Sequence, residues 1–496
     1  MCGIAGIYHQ EATGAVDRGS VLAMVQCMRH RGPDAQCATV YPGVGLGHAR
    51  LSILDLSPEA NQPFESDDGR FSITYNGEIF NFIELRSELE SMGHHFRTTC
   101  DTEVLLHAYQ EWGEQSVNRL NGMWALAIFD RQRDELFCSR DRFGIKPFVY
   151  AFSSARFLFA SEIKALLEID SELASPDYSS LRMILRSPFG YRMEKSCFAG
   201  IKRLPPAHNM IVRRDGFEIS RFWDYPTQTN TSIDFEKAGE ELHSILLDSV
   251  GIRMRSDVPV GSTLSSGVDS CAIVALVRRV FDGHHDTFTA SYPGEAFDES
   301  DRAEQLSRSL DMSSNSVLVV SKNLLGSLGK CVEHFEGPIH SPAVLPLWNI
   351  HELARAKVTV VLEGQGADEL LAGYSHNCFV PAIRDRLRRK RYADALHELR
   401  WQAKTMGIRF IVLFGTRALL PRLQDPFTHL RGDGPVYAGA LRSAETRPHG
   451  QLEPPPPWMT SSMKLFATSM GGSRETSALR RCDLDGAFAG VSAAVH

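Results

Sequence analysis

The spacing of apolar and polar positions changes along the chain and marks two kinds of architecture. Met123 to Phe129 is a continuous apolar run, the pattern of a strand covered on both faces. Phe71–Tyr75, Glu135–Cys138 and Phe157–Ala160 also read as strands, whereas Ile79–Met92 and Thr102–Trp112 repeat with the helical period. From about Asp170 to Thr231 the patterning weakens, and Leu204–His208 and Arg221–Pro226 look like connecting chain. It returns as a helix between Asp234 and Asp257, with Leu242, Ile245, Leu246 and Val250 on one face. Beyond it, β-rich stretches at Val258–Val260, Thr287–Ser291 and Ser316–Val320 alternate with helical patterns at Ala272–Val280 and Arg302–Leu310, and Val358–Leu362 is a further strand. That alternation predicts a parallel sheet with crossover helices. Periodicity alone therefore gives mixed α and β in two styles.

Length agrees with two styles. At 496 residues the chain exceeds the size at which one core keeps growing. Apolar content of 43% and charged content of 23% are ordinary for globular protein. A formal net charge of −7 gives no reason to expect nucleic-acid binding. No apolar run is long enough to span a bilayer and no basic-then-apolar leader opens the chain, so a cytoplasmic enzyme without membrane contact is expected. Ten cysteines without a Cys-x-x-Cys favour reduced thiols over zinc or disulfides. Arg384–Arg391 is the one strong charge run; lacking interleaved aromatics, it reads as a solvated helix face rather than an RNA site.

Three places carry candidate chemistry. Cys2 stands behind Met1, and removal of Met1 would leave one residue offering both a thiol and an α-amine of pKa about 8 to take its proton. Leu264-Ser265-Ser266-Gly267-Val268-Asp269-Ser270 joins a strand to a helix, and its small residues let backbone N–H groups meet an anion at the helix start. No lysine follows, so it is not a P-loop. Glu363-Gly364-Gln365-Gly366-Ala367-Asp368-Glu369-Leu370-Leu371-Ala372-Gly373-Tyr374 repeats the strand-to-turn plan with acids beside it.

The motifs between these places carry a resemblance. Arg29–Asp34, Gly47–Asp55, Asn61-Gln62-Pro63, Tyr75–Asn81, Asp101-Thr102-Glu103, Arg140–Pro147 and Ser161–Leu166 occur in the order found in the glutaminase domain of class II glutamine amidotransferases. Together with the two loops, the chain resembles the glutamine-hydrolysing asparagine synthetases. The resemblance implies an N-terminal-nucleophile αββα sandwich followed by a parallel-sheet α/β ATP-pyrophosphatase domain. It implies a glutaminase domain at 1–205, a linker at 206–235 and a synthetase domain at 236–440. Cys2 would be the nucleophile, with the Asn76 amide and the Gly77 N–H as oxyanion donors in a turn. Arg50 would take the glutamine α-carboxylate, Asp101 and Glu78 its α-ammonium, and Leu51 and Ile53 would complete that site. Leu264, Ser265, Ser266, Gly267, Asp269, Ser270, Ala290, Glu363 and Gly364 would bind ATP. Asp298, Gln365, Asp368 and Glu369 would face the intermediate, with Mg²⁺ held by Asp269 and Asp368.

Read singly, these residues have plainer roles: Arg50 a surface charge, Asp101 a helix N-cap, Asn76-Gly77 a hairpin turn, Asp298 a capping turn before the Arg302 helix. Two departures from the family stand out. Gln365 occupies a place where the family often has Glu, and an amide cannot act as a base. The family's Arg-Val-Pro-Phe-Leu-Asp segment and its later lysine-bearing helix are absent. After Pro454–Trp458 and Lys464–Ser469 come Gly471-Gly472-Ser473-Arg474 and a small-residue tail, so 441–496 reads as a truncated or frameshifted end. The expected reaction is amidation of aspartate by glutamine with ATP and Mg²⁺, giving asparagine, AMP and pyrophosphate, with the synthetase half impaired. Another acceptor (a sugar acid, peptide or lactam precursor) and a ligase-dead regulatory paralogue are the alternatives. Small-molecule substrates are the expected partners, and a homodimer is compatible with the resemblance.

Overall fold

In the computed structural model, two six-stranded antiparallel sheets pack face to face between helices. It describes residues 1–11, 14–186, 194–226, 233–319, 324–339, 341, 343–371, 373 and 375–407. Val320, Ala372, Tyr374, the end of the expected synthetase domain from 408 and the expected divergent tail 441–496 lie outside the described residues.

The first half runs β1 (Gly3–His9), α1 (Arg18–Gln26), β2 (Ala35–Tyr41), β3 (Val44–Arg50), β4 (Phe64–Glu65), β5 (Phe71–Ile79), α2 (Phe82–Ser91) and α3 (Asp101–Trp112). It continues with β6 (Gly122–Asp130), β7 (Glu135–Arg140), β8 (Val149–Ser153), β9 (Arg156–Ala160), α4 (Ile163–Leu167), α5 (Tyr178–Arg186), β10 (Lys202–Arg203), β11 (His208–Arg213) and β12 (Gly216–Arg221). Strand order is β10-β8-β9-β1-β3-β2 in one sheet and β12-β11-β7-β6-β5-β4 in the other. The period of two divides each strand between two cores. On β6, Ala125, Ala127 and Phe129 face the other sheet, where they meet Ile4 and Tyr8 of β1. Trp124, Leu126 and Ile128 face the opposite way, into the layer of α2 and α3. Ala5 and Ile7 of β1 pack on α1 and α4. This is the αββα sandwich the resemblance implies.

Four expectations are corrected here. Asn76 and Gly77 are not in a turn: β5 runs on to Ile79, with Asn76 opposite Ala125 and Gly77 opposite Trp124 on β6. Pairing with the apolar β6 outweighs the local turn preference of Asn-Gly. For the same reason the helix expected from Ile79 starts at Phe82. The expected linker 206–235 opens with sheet, because β11 pairs with both β7 and β12. Asp101 is the first residue of α3 rather than its cap, which is Cys100.

The second half runs α6 (Phe235–Arg253), β13 (Val260–Thr263), α7 (Val268–Val280), β14 (Asp286–Ser291), α8 (Ser300–Ser309), β15 (Ser313–Leu318), α9 (Leu324–Phe335) and α10 (Val344–Ala354). β16 (Val360–Leu362), α11 (Ala367–Leu371), α12 (Ser375–Arg388) and α13 (Tyr392–Met406) follow. The strands form a parallel sheet in the order β15-β14-β13-β16. On α6, Leu246 and Val250 are buried against this sheet, but Ile245 is 64% exposed and not on the packed face as expected. Arginines of the 384–391 run pair with local acids: Arg386 with Glu398, Arg389 with Asp385, Arg391 with Asp394. A solvated, locally neutralised helix is what those pairs describe.

Polar contacts join the halves. The Asp55 N–H donates to Asp257 (2.8 Å), Arg255 pairs with Glu84 (2.6 Å), and the Glu336 carboxylate accepts from the Ile163 and Lys164 N–H groups (2.6 and 2.7 Å). Phe80 and Met123 pack on Ile252 beside them.

Candidate active sites

Cys2 lies immediately before β1, against the loop that leaves β3. Its sulfur is 3.4 Å from the Leu51 N–H, and its carbonyl accepts from Arg31 Nε at 2.9 Å. Arg31 is held in turn by Glu162 (3.0 Å). Burial opposes the Glu162 charge, yet hydrogen bonds from His30 and Arg31 and the Arg31 charge hold its carboxyl down at about 2. The Cys2 carbonyl is thus held by a charged network, and its thiol by the Leu51 N–H.

A cavity of about 390 Å³ opens at Cys2. Arg50, Leu51, Ile53, Asn76, Gly77, Glu78 and Asp101 all line it, so residues far apart in the chain meet there. The cause is the sandwich: β3 and β5 meet across the two sheets, and Asp101 at the start of α3 reaches Tyr75 and Ile79 of β5. Arg50 is not the surface charge of the plainer reading. It is 6% exposed and its guanidinium donates to the Ser57, Leu54 and Asp55 carbonyls and to Asn61 Oδ1. Asp101 accepts from the Tyr75 hydroxyl (2.9 Å) and the Ile79 N–H (3.0 Å). Asn76 is 1% exposed, and its Nδ2 is buried without a hydrogen-bond partner among the described residues. Gly77 is required by close approach, because a Cβ there would lie 2.3 Å from the Met123 carbonyl.

Glu78 and Asp101 share this buried wall. Desolvation first, and the Asp101 charge second, push the Glu78 carboxyl up to about 8; Lys146 and Arg253 oppose. Lys146 lines the cavity too, its pKa lowered by burial against the charge of Glu78. It lies in the loop between β7 and β8, where its N–H donates to Asp141 Oδ2 (3.0 Å), and the Arg140–Pro147 motif alone does not show which way its side chain points. A carboxyl held neutral at pH 7 and ready to ionise beside an arriving ammonium suits an amino-acid substrate. The sign for stability follows. An acid whose folded pKa is raised stabilises fully below its unfolded value near 4.5, and that contribution is lost as pH rises through 8. Melting temperature should therefore fall between pH 5 and 8.5 by the equivalent of about 2–4 kcal/mol, and Glu78→Gln should flatten that fall. Parallel curves for the two proteins would remove Glu78 from this role.

The second site sits where strand order reverses between β13 and β16, at the carboxyl ends of the strands, as ligand sites in open parallel sheets do. A cavity of about 350 Å³ is lined by Leu264, Ser265, Gly267, Asp269, Ser270, Ala290, Glu363, Gly364, Gln365, Asp368 and Glu369. Gly364 lets the two loops touch: a Cβ there would lie 3.0 Å from the Ser270 N and from the Asp269 carbonyl carbon. Ser265 and Ser270 share a hydroxyl contact at 2.9 Å, and Gly267 precedes α7. Desolvation and the facing Asp368 charge raise the Asp269 pKa.

Two expected members are elsewhere. Ser266 and Asp298 do not line the cavity. Asp298 accepts from the Ser300 N–H (3.0 Å), the capping turn of its plainer reading. Glu299 takes its place, accepting the Ser266 N–H at 2.9 Å with a carboxylate where the helix start favours an anion. Phe297 and Glu299 of the Phe297-Asp298-Glu299 segment line the cavity where Asp298 was expected, and Tyr292, which no motif singles out, lines it with them. No group of three or more His, Cys, Asp or Glu side chains suited to a metal occurs among the described residues. No described helix is long and apolar enough to cross a membrane.

Known proteins carry the same two parts. A glutamine amidotransferase domain family matches residues 1–223, and an asparagine synthase family matches residues 241–448. "Putative asparagine synthetase [glutamine-hydrolyzing] 2" of Methanocaldococcus jannaschii is 34% identical over 400 residues, covering 75% of this chain and 76% of that protein. "Asparagine synthetase [glutamine-hydrolyzing] 1" of Bacillus subtilis is 35% identical over 378 residues, 76% of this chain and 59% of its own length. "Asparagine synthetase [glutamine-hydrolyzing] 3" of the same organism is 33% identical, with 63% of its length covered. The chain thus spans about three fifths of these two bacterial relatives.

Proposed function

The chain belongs to the glutamine-hydrolysing asparagine synthetase family, and we propose that it amidates aspartate with nitrogen taken from glutamine at Cys2. The thiolate attacks the glutamine side-chain amide, and the Asn76 Nδ2 and Gly77 N–H receive the developing oxyanion. Ammonia leaves, and water cleaves the γ-glutamyl thioester to glutamate. Loss of Met1 would place the α-amine beside the thiol it must deprotonate. In the second cavity the aspartate side-chain carboxylate attacks the ATP α-phosphorus, releasing pyrophosphate and leaving an acyl-adenylate. Ammonia then displaces AMP.

The observation that carries the reading is the wall of the first cavity. Besides Cys2 and its neighbours it includes Thr359, Val360, Val361 and Glu363 from the second half, and Glu363 also lines the second cavity. On this reading ammonia released at Cys2 would pass Glu363 on its way from the first cavity to the second. Mg²⁺ fits the facing pair Asp269 and Asp368, whose repulsion a divalent cation would relieve; bound there it would neutralise phosphate charge.

Aspartate-driven release of pyrophosphate from ATP, measured against a panel of sugar-acid, peptide and lactam-precursor carboxylates, tests the acceptor. Release with another carboxylate alone would replace aspartate, and none with any would favour a ligase-dead paralogue. Asparagine formed per glutamate formed tests the expectation of weak synthesis. Ser265→Ala and Asp269→Ala should each lower aspartate-driven pyrophosphate release by about 10- to 100-fold while glutamine hydrolysis continues. Unchanged release would make the loop structural.

A further inference from the structure

Glutamine stands at position 365, where a carboxylate would serve to take a proton from the incoming nitrogen, and its amide cannot. The reaction still requires a proton acceptor. Ammonia attacking the acyl carbon forms a C–N bond and a tetrahedral centre bearing N⁺–H; that proton must leave before the C–O bond to AMP breaks and the amide remains. On the proposed reading, nitrogen arrives from the first cavity and reacts in the second. Glu363 is the one residue lining both among those described.

Its surroundings suit the task. Glu363 follows β16 and is 8% exposed. His351 Nε2, from α10, lies 3.0 Å from Oε1, an ion-pair distance. The approach is off the line a hydrogen bond needs, and Oε1 has no hydrogen bond among the described residues. The buried carboxylate thus has His351 as its ion-pair neighbour, and that imidazole, which itself lines the first cavity, stands next to Oε1 to pass a proton on once it turns into line. Of the other acids lining the second cavity, Asp269 and Asp368 face each other and Glu299 accepts the Ser266 N–H, while Glu369 lines that cavity but not the first. Glu78, Asp101 and Lys146 face the first cavity from the Cys2 side.

We propose that Glu363, relaying through His351, is the proton acceptor for the ammonia that displaces AMP, in place of position 365. This rests on the acyl-adenylate reading. The test uses the full chain with aspartate, ATP and ammonium salts, and follows aspartate-dependent ATP–pyrophosphate exchange separately from asparagine formation. Glu363→Gln should lower asparagine formation about 100-fold while exchange falls less than tenfold. At fixed free ammonia, the residual rate should rise about tenfold per pH unit, since hydroxide must then take the proton. Glu363→Gln combined with Gln365→Glu should recover at least tenfold, which also guards against simple misfolding. Asparagine formation within threefold of the parent, or parallel loss of exchange and synthesis without recovery in the double variant, would overturn the assignment. Absence of aspartate-driven exchange in the parent protein would instead sink the acyl-adenylate reading, and Glu363 with it.

Discussion

Replacing Cys2 by alanine is expected to abolish glutamine hydrolysis, a loss on the order of 10⁴–10⁶-fold, while synthesis from ammonium salts continues. The sulfur lines the first cavity together with the orphaned Asn76 amide, and among the described residues Cys100 is the other cysteine there. Cys100 is 3% exposed and desolvation raises its thiol to about 11, so it remains protonated at neutral pH. The change should cost little stability, because the Arg31 bond is to the Cys2 carbonyl and survives. Glutamate release by the purified variant at more than about 1% of the parent rate would remove Cys2 from the chemistry. Loss of ammonium-driven synthesis as well would show that the two cavities are not separable.

What the sequence made legible divides along a physical line. The family resemblance, carried by local motifs, points to residues that line the first cavity, and Arg50, Asn76, Glu78 and Asp101 meet there because they sit at ends of elements that the sandwich brings together. Long-range pairing was less legible. Asn76-Gly77 carries the composition of a turn, and only the partner strand β6 keeps it extended. Likewise β12 reads as linker, since an exposed edge strand lacks a strong apolar period, and β11 is recognisable only through its pairing with β7 and β12. At the second site Ser266 and Asp298 were named where Glu299 is the residue in place; sequence fixes the loop but not which of two adjacent acids turns inward. Glu363 was assigned to ATP alone. A wall shared between two cavities is built by strands from both halves, and no spacing in either half encodes it.

Asn76→Ala is expected to lower kcat for glutamine hydrolysis by about 10²–10³-fold and to move KM by less than about threefold. The argument turns on an asymmetry between free protein and reacting complex. In the free protein Nδ2 is buried with no acceptor, a state that costs about 1–3 kcal/mol of desolvation. An oxyanion formed at the amide carbon would supply the missing acceptor, so the donor is stronger in the transition state than in the ground state. Removing it therefore spares binding and slows chemistry. The same asymmetry predicts that Asn76→Ala melts no lower than the parent, since an unsatisfied buried donor disappears with the side chain. Asn76→Asp should be slower still, because it brings a third carboxylate to the wall that already holds Glu78 and Asp101 and offers no donor. A variant whose defect appears in KM alone, or one that melts several degrees lower with an unchanged kcat, would place Asn76 in binding or packing instead. Steady-state kinetics and a thermal melt on the two variants decide between these, with hydrolysis measured in the absence of ATP so that the second cavity plays no part.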